Sequence, residues 1–396
     1  MVVCNLEGVS QRYRTMLSTA LTLGRELGLH RLNESEQNLP SNVGASNQVE
    51  AEIGRRVWWY LIATECPSAA VYTAHPAHMA VNKPLHLDDD DLDTGRLEQE
   101  KPTSQPTSMS YFLQRLRLAE ICRISADRGL TNPQSSESLN QSNVIYIDAE
   151  LKRLSESLPL FFLLDNNKRQ ISDHSQNSTI IVQRYFINSL IHTQRCKLHL
   201  PYLVQGLIGP EYVYSRHSCL ASARMIVQTE LQLEQEDIPF TRTRFRHTGV
   251  LYGLLMANVV FLLDGCSLPS ASVGLASRRC NEAVHAMRIL EQAKPHSQIA
   301  ARFWCSIKRI LSNSRGVEPP VPSHMMEDSM TDAPARNLGA QGHCLNSMNW
   351  SGFDAQSVPT EPLTYLTTIN EPFSNNSEAL SADWNYLFGG LDWQGF

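Results

Sequence analysis

The sequence predicts an all-α body over residues 1–316, followed by a largely disordered acidic tail over residues 317–396. Three observations point there. Apolar residues recur at three- and four-residue intervals in one segment after another as far as Leu311, the period of a helix with one buried face. No segment sustains the two-residue alternation of a half-buried strand, and no fixed-period repeat stands out. Beyond Arg315 the texture shifts to Ser, Asn, Thr, Gly and Pro, opened by Pro319, Pro320 and Pro322. With 396 residues, 42% of them hydrophobic and 19% charged, the chain has ample material for a buried core.

The first helix is expected from Gln11 to Gly28. Leu17, Leu21, Gly24 and Leu27 or Gly28 form its stripe, with Arg12, Arg14 and Arg25 on other faces. Gly28 stands where a left-handed residue caps a helix end, and His30 is placed to satisfy free carbonyls of the last turn. A polar loop runs from Asn33 to Gln48. In the second helix Asn47 and Glu50 make a capping box, and Glu50 and Glu52 sit in the first turn, where the helix dipole favours acids. Its predicted stripe is Ile53, Val57, Tyr60, Leu61 and Thr64, with Arg55 and Arg56 beside it; Pro67 kinks or ends it. Asp88 to Pro106 reads as another loop. Helical patterns resume at Met109 to Ser125, Val144 to Leu158, Ser178 to Leu200 and Tyr212 to Leu233. Arg246 to Leu263, Gly274 to Lys294 and Gln298 to Leu311 follow. The most apolar stretch, Val250 to Leu263, is shorter than the ~20 residues a bilayer span needs, so it reads as a buried core helix.

Charge divides the chain. The tail holds ten acidic residues against the single base Arg336, and its -9 within a total of -6 leaves the body slightly basic. Such asymmetry marks an acidic interaction tail. The tail buries too little apolar surface to offset chain entropy. It carries islands in which acids alternate with bulky apolar groups: Trp384, Tyr386, Leu387 and Phe388 after Asp383, and Trp393 after Asp392. Acids there keep the aromatics solvated and available to the groove of a partner, the pattern of an activation segment. The alternative is a tail docked on the body through Trp384 and Trp393. A chain gripping DNA through its phosphates would show a basic face, and none is visible in bulk. The nine cysteines form no C-x-x-C pair and read as buried thiols of a reducing compartment. Met1 to Gln11 has neither the basic nor the apolar region of a secretion signal, so secretion is not indicated, and no membrane partner is expected.

Three stretches carry a resemblance. Ala20 to Arg31 contains Leu27-Gly28-Leu29-His30-Arg31; Glu52 to Trp59 contains Arg55-Arg56-Val57-Trp58-Trp59; Arg195 to Tyr202 contains His199-Leu200-Pro201. Together with Cys219 to Ala223, they resemble the middle homology region, the fungal-specific regulatory domain of six-cysteine binuclear zinc cluster transcription factors, over roughly residues 10 to 310. Leu200 stands where that family usually has Arg, and Ala74-His75-Pro76 replaces a G-R-P turn. The resemblance implies a nuclear transcription regulator, of a secondary-metabolite gene set for instance, working with transcription coactivators and a related factor or a homodimer, and a small-molecule effector bound between helices. Relatives carry zinc in a cluster ahead of the first motif; here that motif's helix begins within about ten residues of Met1. The body is therefore expected to be N-terminally truncated, to hold no cofactor of its own, and to meet DNA only through a missing upstream module or a partner. A second reading is a protein deficient in DNA binding that titrates relatives or coactivators. Arg55, Arg56, Trp58 and Trp59 are expected to brace packing, each Arg pairing with a carboxylate of a neighbouring helix or stacking on an indole.

Other chemistry is weighed and set aside. His75, His78, His86 and Asp88 to Asp91 are the best metal-like constellation, but Pro76 opposes the helix that would aim two imidazoles at one ion, so a solvated loop is expected. No phosphate loop, dinucleotide fingerprint or nucleophile elbow occurs. Arg242, Arg244, Arg246 and His247, like Arg278 and Arg279, read as charged helix flanks rather than phosphate contacts. No catalytic residue is expected.

Overall fold

A computed structural model describes residues 11–33, 45–65, 72, 74–97, 100–130, 141–165, 178–203, 205–207, 209–266 and 273–313. Every regular element among them is helical. In chain order these are α1 (Gln11–Glu26), α2 (Ala45–Glu65), α3 (Asp89–Asp93), α4 (Ser110–Asp127), α5 (Gln141–Glu156) and α6 (Ser178–His199). Then come α7 (Val213–Glu234), α8 (Pro239–Thr243), α9 (Thr248–Cys266), α10 (Val273–Ala293) and α11 (Gln298–Asn313). Short 3-10 turns link them, among them Leu29–Arg31, Pro76–His78, Leu160–Phe162 and Leu200–Tyr202. The all-α expectation holds. The tail beyond residue 316, with Trp384, Tyr386, Leu387, Phe388 and Trp393, lies outside the described residues.

Helix α9 organises the larger core. It is apolar all round, and such a helix is stable only when enclosed on every side. Residues 250–264 are all buried, surrounded by α6, α7, α10 and α11. At roughly 1.5–3 kcal/mol for each large side chain removed from water, this helix is the main hydrophobic contribution to the C-terminal half. Two of its polar side chains are anchored to neighbouring helices. The Asn258 amide donates to the carbonyls of Leu254 and Ala286, and Asp264 accepts from Arg216. Gly253 permits the close approach: a Cβ there would stand 2.8 Å from Ser189 Oγ and 3.2 Å from Thr193 Oγ1. No single helix among the described residues is long and apolar enough to cross a membrane.

A second cluster joins α1, α2 and α4 around Leu17, Leu21, Trp58, Trp59 and Ile62. A third joins α4, α5 and α6 with Phe161 and Phe162. Helices α6 and α7 meet where Cys196 and Cys219 each donate a thiol to the other's carbonyl, at 3.6 and 3.7 Å. These two fit the expectation of buried thiols, whereas Cys305 on α11 is exposed.

The sequence reading needs correction in the second helix. Helix α2 starts at Ala45, so Asn47 is an exposed residue of the helix rather than its cap. Ile53 and Val57 are each 46% exposed, while Glu52, Gly54, Arg55, Trp58, Trp59 and Ile62 face inward. A stripe drawn through apolar residues alone leaves out two indoles of large area and a charge pair that satisfies itself; burying those turns the helix. Leu27 is likewise 75% exposed, because the chain reverses at Gly28 immediately after it.

Candidate functional site

The first two motifs fold against each other. Helix α1 ends at Gly28, whose φ of 73° is the left-handed conformation the sequence led one to expect, and its N–H donates to the Arg25 carbonyl. The turn Leu29–Arg31 then brings Leu29 onto the N-terminal core and the His30 ring to 5.8 Å from that of Trp58. Two glycines make the contact possible. A Cβ at Gly24 would stand 3.2 Å from the benzo edge of Trp58, and one at Gly54 3.0 Å from Leu32. The carbonyl of His30 accepts from Ala80 N at 2.7 Å, and Asn33 N donates to Ala80 O at 2.9 Å. Asn33 and Asn82 pair through both side chain and backbone, and Trp59 Nε1 donates to Asn82 O at 2.7 Å. The loop 74–82 is thereby latched across α1 and α2.

Glu52 is the residue whose role sequence reading missed. Fully buried, its carboxylate accepts from Arg55 Nε at 2.9 Å, Arg56 Nε at 3.1 Å and Leu85 N at 3.0 Å. Arg56 has the expected partner on a neighbouring helix, reaching Asp89 of α3 at 2.7 Å; the pair of Arg55 with Glu52 lies within α2. The spacing of Glu52 to Arg55 and Arg56, three and four residues, was the available signal.

The acidic loop is a clamp, and part of it is buried. His86, expected in a solvated loop, is 4% exposed and hydrogen-bonded to Lys101 O and Ser110 Oγ, both at 2.8 Å. Asp88 and Asp91 close on Lys101 at 2.5 and 2.6 Å, so their charge is used within the fold. Among the described residues no group of three His, Cys, Asp or Glu is arranged to hold a metal ion. Arg244 is also engaged, buried on Glu230 at 2.6 Å and Glu234 at 3.2 Å, which removes it from any phosphate contact. Arg242 and Arg246 lie on the short helical turns beside it, and Arg278 and Arg279 on α10.

The third motif has its own centre, on Asp148 of α5. This fully buried carboxylate accepts from Arg195 at 2.7 and 3.0 Å and from Tyr214 at 2.5 Å, with His199 Nε2 3.0 Å away, tying α5 to α6 and α7. Burial alone would push its carboxyl up, but His199, Arg195 and Tyr214 outweigh it and hold the group well below the usual carboxylate range. Pro201 begins the turn that ends α6. Nothing in the local sequence around Asp148 marks it, since its partners lie 47 to 66 residues away.

One cleft is shared by the first two motifs. It encloses about 460 Å³ and is lined by Arg25, His30, Arg31 and Trp58 on one side and by residues 74–80, including His75 and His78, on the other. The expected space between core helices is far smaller: a cavity of about 20 Å³ between α6, α7 and α9, room for one water.

No protein-family model matches the chain, nor does any solved structure. Curated relatives do. The probable transcription factor lepB of Aspergillus flavus is 33% identical over 412 residues, 99% of this chain and 71% of the relative. The agnestins biosynthesis cluster transcription factor of Paecilomyces divaricatus is 25% identical over 82% of this chain and 47% of the relative. The Zn(2)-C6 fungal-type transcription factor pigI of Monascus ruber is 26% identical over 48% of this chain and 23% of the relative. The chain thus spans less than half of the second and third. Nearly end-to-end similarity to the first, across all three motif regions, decides the assignment: the chain belongs to the family of fungal transcription factors.

Proposed function

We propose that the chain is a nuclear regulator of the fungal zinc-cluster type, controlling RNA polymerase II transcription of a pathway or secondary-metabolite gene set. The similarity to the Aspergillus flavus factor over 99% of the chain carries this reading. The agnestins cluster relative supports the choice of gene set. Residues 1–316 act as a middle homology regulatory body, and residues 317–396 as an activation tail that recruits coactivators. Contact with DNA is made by a module outside this sequence, where relatives carry zinc, or by a related factor or second copy. The geometry suits a switch rather than a catalyst, because the motif residues are consumed in bracing helices: Arg55 and Arg56 on Glu52, His199 on Asp148. An effector that prefers one arrangement of the body biases tail exposure; equal affinity for both shifts nothing.

Fused to an unrelated DNA-binding domain, residues 317–396 should activate a reporter, and a silent reporter removes the activation half of the proposal. Overexpression of the whole chain separates it from the titrating alternative. Activation of cluster genes is expected, whereas their repression favours the alternative.

A further inference from the structure

We propose that the hairpin of α10 and α11 carries a docking face for the chain's own acidic tail, and that residues 371–396 close on it. This deepens the reading of that tail as an activation segment and rests on it. Charge singles out the hairpin. Residues 273–313 hold seven Lys and Arg against two acids, Glu282 and Glu291, a net charge of +5. Residues 1–316 sum to +3, so the rest of the body is -2 and the hairpin carries all of its positive excess. Both acids are already engaged: Glu282 accepts from Arg224 at 2.8 and 3.0 Å, and Glu291 lies 3.7 Å from Lys294. Helix α11 contains no Asp or Glu. Bases of the hairpin face outward. His285 and Arg288 lie in one exposed row of α10, and Arg302 and Lys308 are exposed on α11.

The tail answers this face in charge, chemistry and reach. It leaves the body from the end of α11 with a net charge of -9, and residues 371–396 hold four acids, six aromatic residues and no base. Carboxylates pair with such cations directly, and aromatic faces accept Arg and Lys as cation–π partners. The hairpin already uses the second contact: the ammonium groups of Lys294 and Lys308 stand 5.3 and 5.2 Å from the centre of the Trp304 ring. Asp383 lies 70 residues beyond Asn313, and a coil of that length spans about 45 Å, against ~24 Å for the length of α11. Tethering supplies an effective concentration on the order of 1 mM, so a contact of only ~0.1 mM between separate molecules favours the closed form about tenfold. Duplex phosphate would be drawn to the same bases, but it lacks the tether. Closure occupies the aromatics that a coactivator groove would take, so the docked tail is the silent state, and a coactivator or an effector must release it.

The test is limited chymotrypsin digestion of the purified full chain at low salt, with cleavage after Trp384, Tyr386 and Phe388 followed by mass spectrometry. A free peptide of residues 371–396 is the reference substrate. The parent chain is expected to be cut about tenfold more slowly than the peptide. R288E/K308E reverses two exposed bases, and E378K/D383K reverses two acids without touching the body, so its fold is secure. Each should be cut nearly as fast as the peptide of its own sequence. The two pairs combined should regain most of the protection, an outcome that an unfolded hairpin cannot give. R242E/R246E makes the same charge change at exposed residues elsewhere and should stay protected. Parent and peptide cut alike, no release by E378K/D383K, or equal release in R242E/R246E overturns the proposal. Protection that grows with protein concentration also overturns it, assigning the face to the tail of a second copy. Loss of duplex DNA binding in R288E/K308E, with its tail cut as in the parent, overturns it in favour of phosphate. The reporter fusion of residues 317–396 reads the activation segment separately. Protection without activation keeps the contact and removes that reading; activation without protection removes the contact alone.

Discussion

Glu52→Gln tests the bracing of the second motif most directly. The substitution keeps size and shape and removes one charge. In the native protein three donors converge on this carboxylate, two of them guanidinium groups, and Glu52 itself is fully buried. Glutamine offers a single carbonyl oxygen, which serves one of the three, and its amide turns two hydrogens toward an arginine. Arg56 retains Asp89 and the Leu87 carbonyl, so its loss is partial. Arg55, whose side chain is 10% exposed, loses the carboxylate 2.9 Å from its Nε. Removing one partner from a buried pair costs about 3–5 kcal/mol; with Arg56 partly rescued, the lower end, ~3 kcal/mol, is expected. Against a total stability of about 5–15 kcal/mol this is a large fraction. Urea unfolding followed by far-ultraviolet circular dichroism should show the midpoint falling by about 1 M or more with unchanged slope. The double variant E52Q/R55M should lose less than the two single variants added together, because both changes remove the same interaction. A loss below about 1 kcal/mol for E52Q, or strict additivity with R55M, would refute the claim that the pair braces α2.

Three further outcomes follow from the packing. Burial, with help from Arg195, lowers the His192 imidazole from 6.5 to about 4. The unfolded chain therefore takes up this proton first as pH falls, and stability that is whole above pH 6.5 declines by up to ~3 kcal/mol toward pH 4; H192Q should flatten that window while leaving the steeper loss at lower pH that protonation of Asp148 brings. G24V should destabilise by about 1–3 kcal/mol, since its Cβ meets Trp58 at 3.2 Å, whereas G265A, with nothing within 4 Å, should gain up to ~1 kcal/mol from helix propensity; melting temperatures moving the same way would contradict the packing of α1 on α2. In the native protein iodoacetamide should label Cys305 rapidly and leave Cys196 and Cys219 unmodified until denaturant is added, as peptide mapping would show; early labelling of Cys219 would mean that α6 and α7 separate readily.

How much of this was legible depends on range. Helix existence was readable because amphipathic spacing is a local property: α4, α6, α7, α10 and α11 begin within a residue or so of where the periodicity places them. The left-handed Gly28 was readable for the same reason. What failed was the facing of α2, because a hydrophobic stripe has no means of counting a buried Glu52 as core. The Asp148 centre was invisible altogether. His199 was singled out only by resemblance, and what it touches comes from another helix about 50 residues earlier in the chain. Loop chemistry was misread where burial decided it: His86 looked like a solvated histidine until Ser110 and the Lys101 carbonyl closed over it.

The motifs are better understood as a way of positioning the cleft than as a list of packed residues. Gly24 sets the distance between α1 and α2, Gly54 that between α2 and the turn after α1, and the first fixes where the Trp58 ring lies. Gly28 reverses the chain so that Arg31 and His30 return over the same ring, and the carbonyl of His30 then anchors Ala80. Glu52, through Leu85 N, and Trp59, through Asn82 O, fasten the far end of the same loop. Each contact that looks like mere bracing therefore holds one wall of a single cleft beside Trp58, whose buried Nε1 has no hydrogen-bond partner. A fold that needed only stability would do better without that buried donor, since an unpaired one costs about 1–3 kcal/mol. W58F removes the donor but also part of a fully buried ring, whose cavity costs about 1–2 kcal/mol, so relief of the donor should bring the net loss in equilibrium unfolding below that cost. A loss well above about 2 kcal/mol would mean that the indole nitrogen has a partner within the fold.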